Sequence, residues 1–243
     1  CELQDDLETA VCQNLSNSGA YQFAWIGENA EEHARVEPRA TGGKATEYLD
    51  HASVTTDNTE TAQGPTGRAF ETLSVCTVQD VSTASEMEPW RDSLSEFGIR
   101  ATAAVPIHYD DEVFGILNLY TQRENAFVGE ERDILEHLGN TIGRAIADIR
   151  AREEAQIFQQ AVEHAGHAVY ITEPDGTIEY VNSAFTEMTG YQEGEVIGQN
   201  PRILKSGAHD KEFYCNLWQT VLSGGTWENE LINRHKDGRR QYI

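Results

Sequence analysis

Long hydrophobic runs are missing from these 243 residues: nothing approaches the roughly twenty consecutive apolar residues that span a bilayer, and no basic, apolar leader stands at the front. The expectation is a soluble chain without a membrane span. Cysteine is scarce, with Cys1, Cys12, Cys76 and Cys215 far apart and neither a close pair nor a Cys/His cluster at zinc-site spacing. A disulfide scaffold and a structural zinc site are therefore not expected. The thiols fit a reducing cytoplasm and roles as small buried hydrophobes. Lysine is nearly absent too, with only Lys44, Lys205, Lys211 and Lys236 beside 14 arginines. No basic stripe exists to release counterions from a phosphate backbone, so nucleic-acid binding by this region is not expected. No glycine-rich nucleotide loop of the P-loop kind occurs. The chain opens at Cys1 rather than methionine, as expected of a piece of a longer protein.

Acid is what the chain has in excess, with 41 Asp plus Glu against 18 Lys plus Arg and a formal net charge of -23. The acids run along the whole sequence, with only short clusters at Glu28 to Glu32 and Glu130 to Asp133. Spread of that kind makes a strongly hydrated, self-repelling surface, and it resembles proteins of salt-accumulating halophiles.

The stretch Gly129 to Ala165 contains no proline and few residues that oppose helix, which predicts one long helix or two abutting ones. Its first half carries Leu135, Leu138, Ile142, Ala145 and Ile149 at three- and four-residue steps, and its second half Ala151, Ala155, Phe158, Val162 and Ala165. The two seams are out of phase. Such a helix changes packing partner midway or joins a coiled coil with a register break, and both readings make it a connector, as a spacer or as a signalling lever.

Ahead of the connector, Glu2 to Leu15 has an amphipathic helix pattern with Leu3, Leu7, Val11 and Leu15 on one face, and Tyr21 to Ile26 reads as a strand. The polar region through Asn58 carries no assignable pattern. Gly64-Pro65-Thr66-Gly67 is a turn opening a short helix to Thr72, Val75 to Val81 a strand, and Pro89 to Phe97 a helix closed by Gly98. Ala101 to His108 and Val113 to Tyr120 flank Tyr109-Asp110-Asp111-Glu112 as a hairpin. The strings GPTGRAFET, VQDV and AVPIHYDDEVFGILNLYTQRENAF, in this order before an acidic helix start, resemble a GAF domain. GAF domains bind cyclic nucleotides, bilins, haem or no known ligand. Asn125, Phe127, Glu130 and Glu131 echo part of the cyclic-nucleotide signature, in positions that serve as loop and helix cap in domains without that ligand.

Beyond the connector, Val169 to Thr172 and Thr177 to Val181 flank the turn Glu173-Pro174-Asp175-Gly176. Asn182 caps a helix with Phe185 and Met188 facing inward and Gly190 at its end. A short apolar segment at Pro201 to Leu204, a helix at Phe213 to Leu222, a strand at Trp227 to Asn233 and a turn at Lys236 to Arg239 follow. The strings YVNSAFTEMTGYQEGEVIGQNPRILKSG and WENELINRHKDG are similar to the PAS subgroup that includes flavin-binding sensors, with the sequence ending before the closing strand of the PAS sheet.

The resemblance implies a pocket formed by Phe185, Met188, Asn200, Arg202, Ile203, Trp218, Trp227 and Asn233. Asn200 and Asn233 would bond the polar edge of an isoalloxazine, with the tryptophans walling its rings. Light-sensing relatives read Asn-Cys-Arg where this chain reads Asn200-Pro201-Arg202, and proline has no thiol, so a cysteinyl photoadduct is excluded. Haem is the lesser candidate, with His209 at the ligand position, against the alternative of a helix-start residue beside Asp210. His164 and His167 lack a third ligand, and no metal site is expected.

The expectation is thus two α+β domains, each a central antiparallel sheet flanked by helices: residues 1–150 GAF-like and 151–243 PAS-like, with the connecting helix over about 129–165. A phosphoacceptor histidine usually sits beside an acidic residue in a helix with a downstream proline, and neither His137-Leu138-Gly139 nor His164-Ala165-Gly166 fits that pattern, so catalysis within these residues is not expected. The resemblance implies the cytoplasmic sensory region of a signalling protein, dimeric through its helices, with an output domain in cis beyond Ile243. A two-component sensor histidine kinase leads. A bacterio-opsin-activator-like transcription regulator and a ligand-free dimerisation module are the alternatives.

Overall fold

A computed structural model describes residues 2–30, 35–50, 52–56 and 60–242. It separates into two compact units, Cys1–Arg152 and Glu153–Ile243. No helix among the described residues is long and apolar enough to cross a membrane.

The first unit runs α1 (Glu2–Asn17), β1 (Phe23–Ala30), β2 (Arg35–Gly43), α2 (Ala45–Leu49), α3 (Pro65–Thr72), β3 (Cys76–Val78), α4 (Arg91–Glu96), β4 (Ala101–Tyr109), β5 (Glu112–Thr121) and the start of α5 (Glu130–Glu163). Its strands form one antiparallel sheet in the order β2-β1-β5-β4-β3. Strand side chains alternate between faces, so β1 sends Ala24 and Ile26 toward Leu135, Ile142 and Ile146 of α5, and Phe23 and Trp25 toward Tyr48 of α2 and Leu94 of α4. Both faces are covered, which is why β4 and β5 read as almost unbroken apolar runs. The GPTG string is explained by packing. Pro65 opens α3, the Thr66 hydroxyl donates to Asn118 Oδ1 on β5 at 2.6 Å, and a Cβ on Gly67 would lie 2.0 Å from the Ala62 carbonyl oxygen.

The structure assigns one region that carried no pattern and corrects two expectations. The unassigned polar region contains β2 and α2. The β2 sequence RVEPRATGG lacks apolar alternation because it is an edge strand, where a proline is tolerated. The inward stripe of α1 is Gln4, Glu8 and Cys12, with Leu7, Val11 and Leu15 half-buried beside it and Leu3 60 % exposed. Arg39 of β2 draws that polar stripe inward, its Nε donating to Glu8 at 2.9 Å and its Nη1 to Glu28 at 2.8 Å. On α5 the buried seam is Leu135, Gly139, Ile142, Gly143 and Ile146. Leu138, Ala145 and Ile149 are only half-buried, because the two glycines let the helix settle against strand backbone. A Cβ on Gly139 would meet the Pro106 carbonyl oxygen at 2.2 Å, and one on Gly143 the His108 carbonyl oxygen at 2.1 Å. In the second half, Ala151, Ala155 and Phe158 are exposed, and Val162 and Ala165 half-buried.

The second unit continues from α5 into β6 (Tyr170–Thr172), β7 (Ile178–Val181), α6 (Ser183–Thr189), α7 (Glu193–Val196), α8 (Lys211–Leu222), β8 (Ile232–Arg234) and β9 (Arg240–Tyr242). Two antiparallel pairs, β6-β7 and β8-β9, form its sheet structure, and an isolated bridge joins Lys205 to Asn233. Gly176 and Gly190 take φ of +87° and +76° at the β6-β7 reversal and the end of α6. Ile178, Val181, Phe185, Val196 and Leu204 make a small core. The expected strand Trp227 to Asn233 shortens to β8. Trp227 instead lies against α8, its indole N–H donating to Asn216 Oδ1 at 2.9 Å and its ring meeting Phe213 edge-on at 5.2 Å.

Candidate functional site

A cavity of about 530 Å³ opens in the second unit between the β6-β7 turn, the 3-10 turn Pro201–Leu204, α8 and β8. Its volume suits a small organic ligand. Each wall follows from local sequence. Gly176 allows the tight reversal that carries Pro174 and Asp175 to the rim, and the Asn200 Oδ1 accepts the Arg202 N–H at 3.1 Å, capping the 3-10 turn. That bond leaves the Asn200 amide free to donate. Asp210 caps α8 by accepting the Phe213 N–H at 2.9 Å, and the helix then presents Tyr214, Leu217, Trp218 and Leu222 at three- and four-residue steps. Asn233 closes the far side, 8 % exposed, and its side-chain amide has no hydrogen-bond partner among the described residues.

The cavity therefore joins four of the residues expected from sequence, Asn200, Arg202, Trp218 and Asn233. The other four lie elsewhere. Phe185 is core, meeting the cavity-lining Tyr170 edge-on at 5.8 Å, and Ile203 packs on the same core. Met188 lines a separate hollow of about 210 Å³ with His235, Arg239 and Gln241. Trp227 sits on the Phe213 side of α8, outside the cavity. Tyr170, Lys205, Tyr214 and Leu217 are among the lining residues that sequence reasoning missed. The apolar stripe of α8 was the signal for Tyr214 and Leu217, whereas Lys205 joins only through the bridge to Asn233.

An indole wall at Trp218 and the side-chain amides of Asn233 and Asn200 give the aromatic surface and polar groups that an isoalloxazine requires, and the donor set fits. The Tyr214 hydroxyl is enclosed with no partner among the described residues, while Lys205 Nζ lies 3.9 Å from its ring centroid. Burial pushes the Tyr214 hydroxyl pKa up, so it stays a donor. His209 lies in an adjacent hollow of about 460 Å³. Its Nε2 accepts the Ile232 N–H at 2.9 Å and its ring stacks on Phe213 at 3.9 Å, so the nitrogen that a haem iron would take is already engaged. Among the described residues no group of three or more His, Cys, Asp or Glu is placed to hold a metal ion.

In the first unit, the residues that echo a cyclic-nucleotide signature build a cap. Asn125 and Phe127 take φ of +53° and +63°, and Glu131 accepts the Phe127 N–H at 2.9 Å and the Tyr21 hydroxyl at 3.3 Å while pairing with Arg123. Burial pushes the Glu131 carboxyl up, but Arg123 and the Phe127 N–H outweigh it and hold it below the usual carboxylate value. Burial, reinforced by Glu8, pushes the Cys12 thiol up to about 12, which leaves it inert as a nucleophile.

A GAF domain model matches residues 3–147 and a PAS fold model residues 156–243. The nitrogen fixation regulatory protein of Klebsiella pneumoniae is 37 % identical over 101 residues, covering 42 % of this chain and 20 % of that protein. The bacterioopsin transcriptional activator of Halobacterium salinarum is 25 % identical over 167 residues, covering 63 % of this chain and 24 % of that protein. Blue-light-activated histidine kinase 1 of Erythrobacter litoralis is 31 % identical over 100 residues, 39 % of this chain and 28 % of that protein. The matches thus span between a fifth and under a third of these relatives. Among solved structures, the GAF domain of a phosphoenolpyruvate-protein phosphotransferase from Coxiella burnetii is similar, with a TM-score of 0.50 at 17 % identity over 62 % of this chain and 86 % of that one. A GAF domain region from Geobacter sulfurreducens gives 0.51 at 19 % identity over 60 % and 94 %.

Proposed function

This chain belongs to the GAF domain family and carries a PAS fold after the GAF domain, and from that premise we propose that it is the sensory input region of a cytoplasmic signalling protein whose PAS cavity receives a flavin. The observation that carries the reading is the cavity of about 530 Å³ lined by Trp218, Asn200 and Asn233. A flavin, when bound, supplies two-electron redox chemistry and absorption of blue light. The chain's own residues orient it. Asn200 and Asn233 would bond its polar edge, Trp218 would stack on its rings, and Arg202 and Lys205 set a cationic rim at the mouth. Pro201 stands where an adduct-forming cysteine would be, so signalling runs through redox state or occupancy rather than a covalent bond to the protein.

The output in this reading is a two-component histidine kinase, with the protein a homodimer through its helices. A second reading, a transcription regulator, is favoured by one observation: the Halobacterium match runs over 167 residues, longer than the whole second unit, so it extends into the GAF unit. That relative also supports a halophilic origin for the acidic surface. Titration with FMN, FAD and riboflavin tests the cavity. Flavin fluorescence should be quenched on binding, and Trp218→Ala should weaken the affinity by about tenfold. Equal affinity in the variant would remove Trp218 from the site. For the output, the full-length protein should label with phosphate from ATP; absence of labelling together with retention of promoter DNA would favour the regulator.

A further inference from the structure

Asn182 is 1 % exposed and its side chain makes four hydrogen bonds. The Oδ1 accepts the Val169 N–H at 2.8 Å and the Phe185 N–H at 3.0 Å, and the Nδ2 donates to the Val162 carbonyl at 2.9 Å and the His167 carbonyl at 3.0 Å. A carboxamide has two donor hydrogens and two acceptor lone pairs, so this group is saturated. Capping α6 requires only the bond from Phe185. The other three reach outside α6, to the last turn of α5 and to the link that leads into β6. Val162 is among the α5 carbonyls that a helix end leaves without a full set of partners.

Two of these partners adjoin a residue of the cavity wall. Tyr170 follows Val169 directly, lines the cavity, and meets the Phe185 ring edge-on at 5.8 Å. One buried amide thus holds both backbone N–H groups that position Tyr170 and Phe185 and the carbonyl at the end of α5. Around it, Glu163 braces the outer side of the junction. Its carboxylate accepts the Tyr180 hydroxyl at 2.7 Å and the Ser183 N–H at 3.0 Å, and its carbonyl accepts the Ser183 hydroxyl at 2.7 Å.

We infer that Asn182 is a positioning residue that couples the wall of the PAS cavity to the last turn of the connector helix. This inference rests on the sensory reading for its biological meaning, but its physics and its test need no ligand. Displacing Tyr170 moves Val169 or Phe185, and the amide must follow or break a bond. Being buried, it finds no water to replace what it loses. The shift is therefore delivered to Val162 and His167.

Hydrogen exchange of the 243-residue protein tests the coupling at the amides of His164 and Ala165, which donate to Gln160 and Val162. Asn182→Asp keeps the acceptor oxygens and sets an oxygen against two carbonyls where the donors stood. Tyr170→Ala alone should speed exchange at these amides about tenfold, Asn182→Asp by at least as much, and the double variant no further than Asn182→Asp. The Ile197 amide, which donates to Glu193 on α7, should keep its wild-type rate in all three. Should Asn182→Asp fail to fold, Asn182→Ser, which retains one short acceptor, enters the same cycle with the same criteria. Independent effects that multiply in the double variant would overturn the inference, as would equal acceleration at Ile197, which marks general loosening. A cavity that binds no flavin would defeat the proposed ligand and leave the outcome of this cycle unchanged.

Discussion

Gly143 shows how a single hydrogen in place of a side chain sets the position of a helix. Replacing it with alanine puts a Cβ 2.1 Å from the His108 carbonyl oxygen, backbone that cannot turn aside. Gly143→Ala should therefore lower stability by about 2–3 kcal/mol in denaturant unfolding, whereas alanine in place of an ordinary exposed helical glycine stabilises. A gain in stability would place α5 farther from β4 than the structure has it. Arg39 is the second sensitive residue. Its partner Glu8 has a side chain 1 % exposed, so Arg39→Met strands a carboxylate on a buried face and should cost about 3 kcal/mol. Most of the loss should return in the double variant Glu8→Leu, Arg39→Met, and no recovery would show that Arg39 acts through Asp5 or Glu28 instead. Neither residue was legible in the sequence for what it does. Apolar periodicity finds leucine and isoleucine seams, and it is blind to glycine as a contact surface and to a buried stripe written in Gln4 and Glu8.

Among the elements, legibility followed burial. The β4-β5 hairpin, the Gly-Pro-Thr-Gly opening of α3 and the Asn182 cap of α6 could be read because their apolar runs and turn residues agree with the final packing. The edge strand β2 could not, since it needs no apolar alternation, and the strand expected from Trp227 shortened because Phe213 and Asn216 hold that indole on α8. Four cavity residues were found through the family resemblance, while Met188 was lost because inward on α6 means toward β9 rather than toward α8. The loop before α5 carries a pH prediction. Glu131 has its carboxyl held below the ordinary value of 4.5, so its contribution is full above that value and disappears as pH falls through the lower folded value. Wild type should exceed Glu131→Gln in stability at about pH 7, with the difference shrinking below about pH 4.5. A difference independent of pH would assign the effect to packing rather than to the charge on Arg123 and the Phe127 N–H.

At the scale of the whole molecule, the chain combines a well-filled GAF unit with a PAS unit whose core is small and whose largest helix after the connector, α8, has no fully buried residue. That contrast suits a division of labour between a stable body and a ligand-responsive one, since elements with few buried contacts open most readily. A formal net charge of -23 raises the self-repulsion of the folded state, and concentrated salt screens it, so multimolar KCl is the medium in which the protein should be examined. The most direct measurement is the visible absorption spectrum of the protein purified in that medium. A flavin-filled PAS cavity predicts the bands of oxidised flavin, with free flavin released on denaturation and bleaching by dithionite without formation of a covalent adduct. A colourless protein that stays colourless after incubation with FMN, FAD and riboflavin would contradict it.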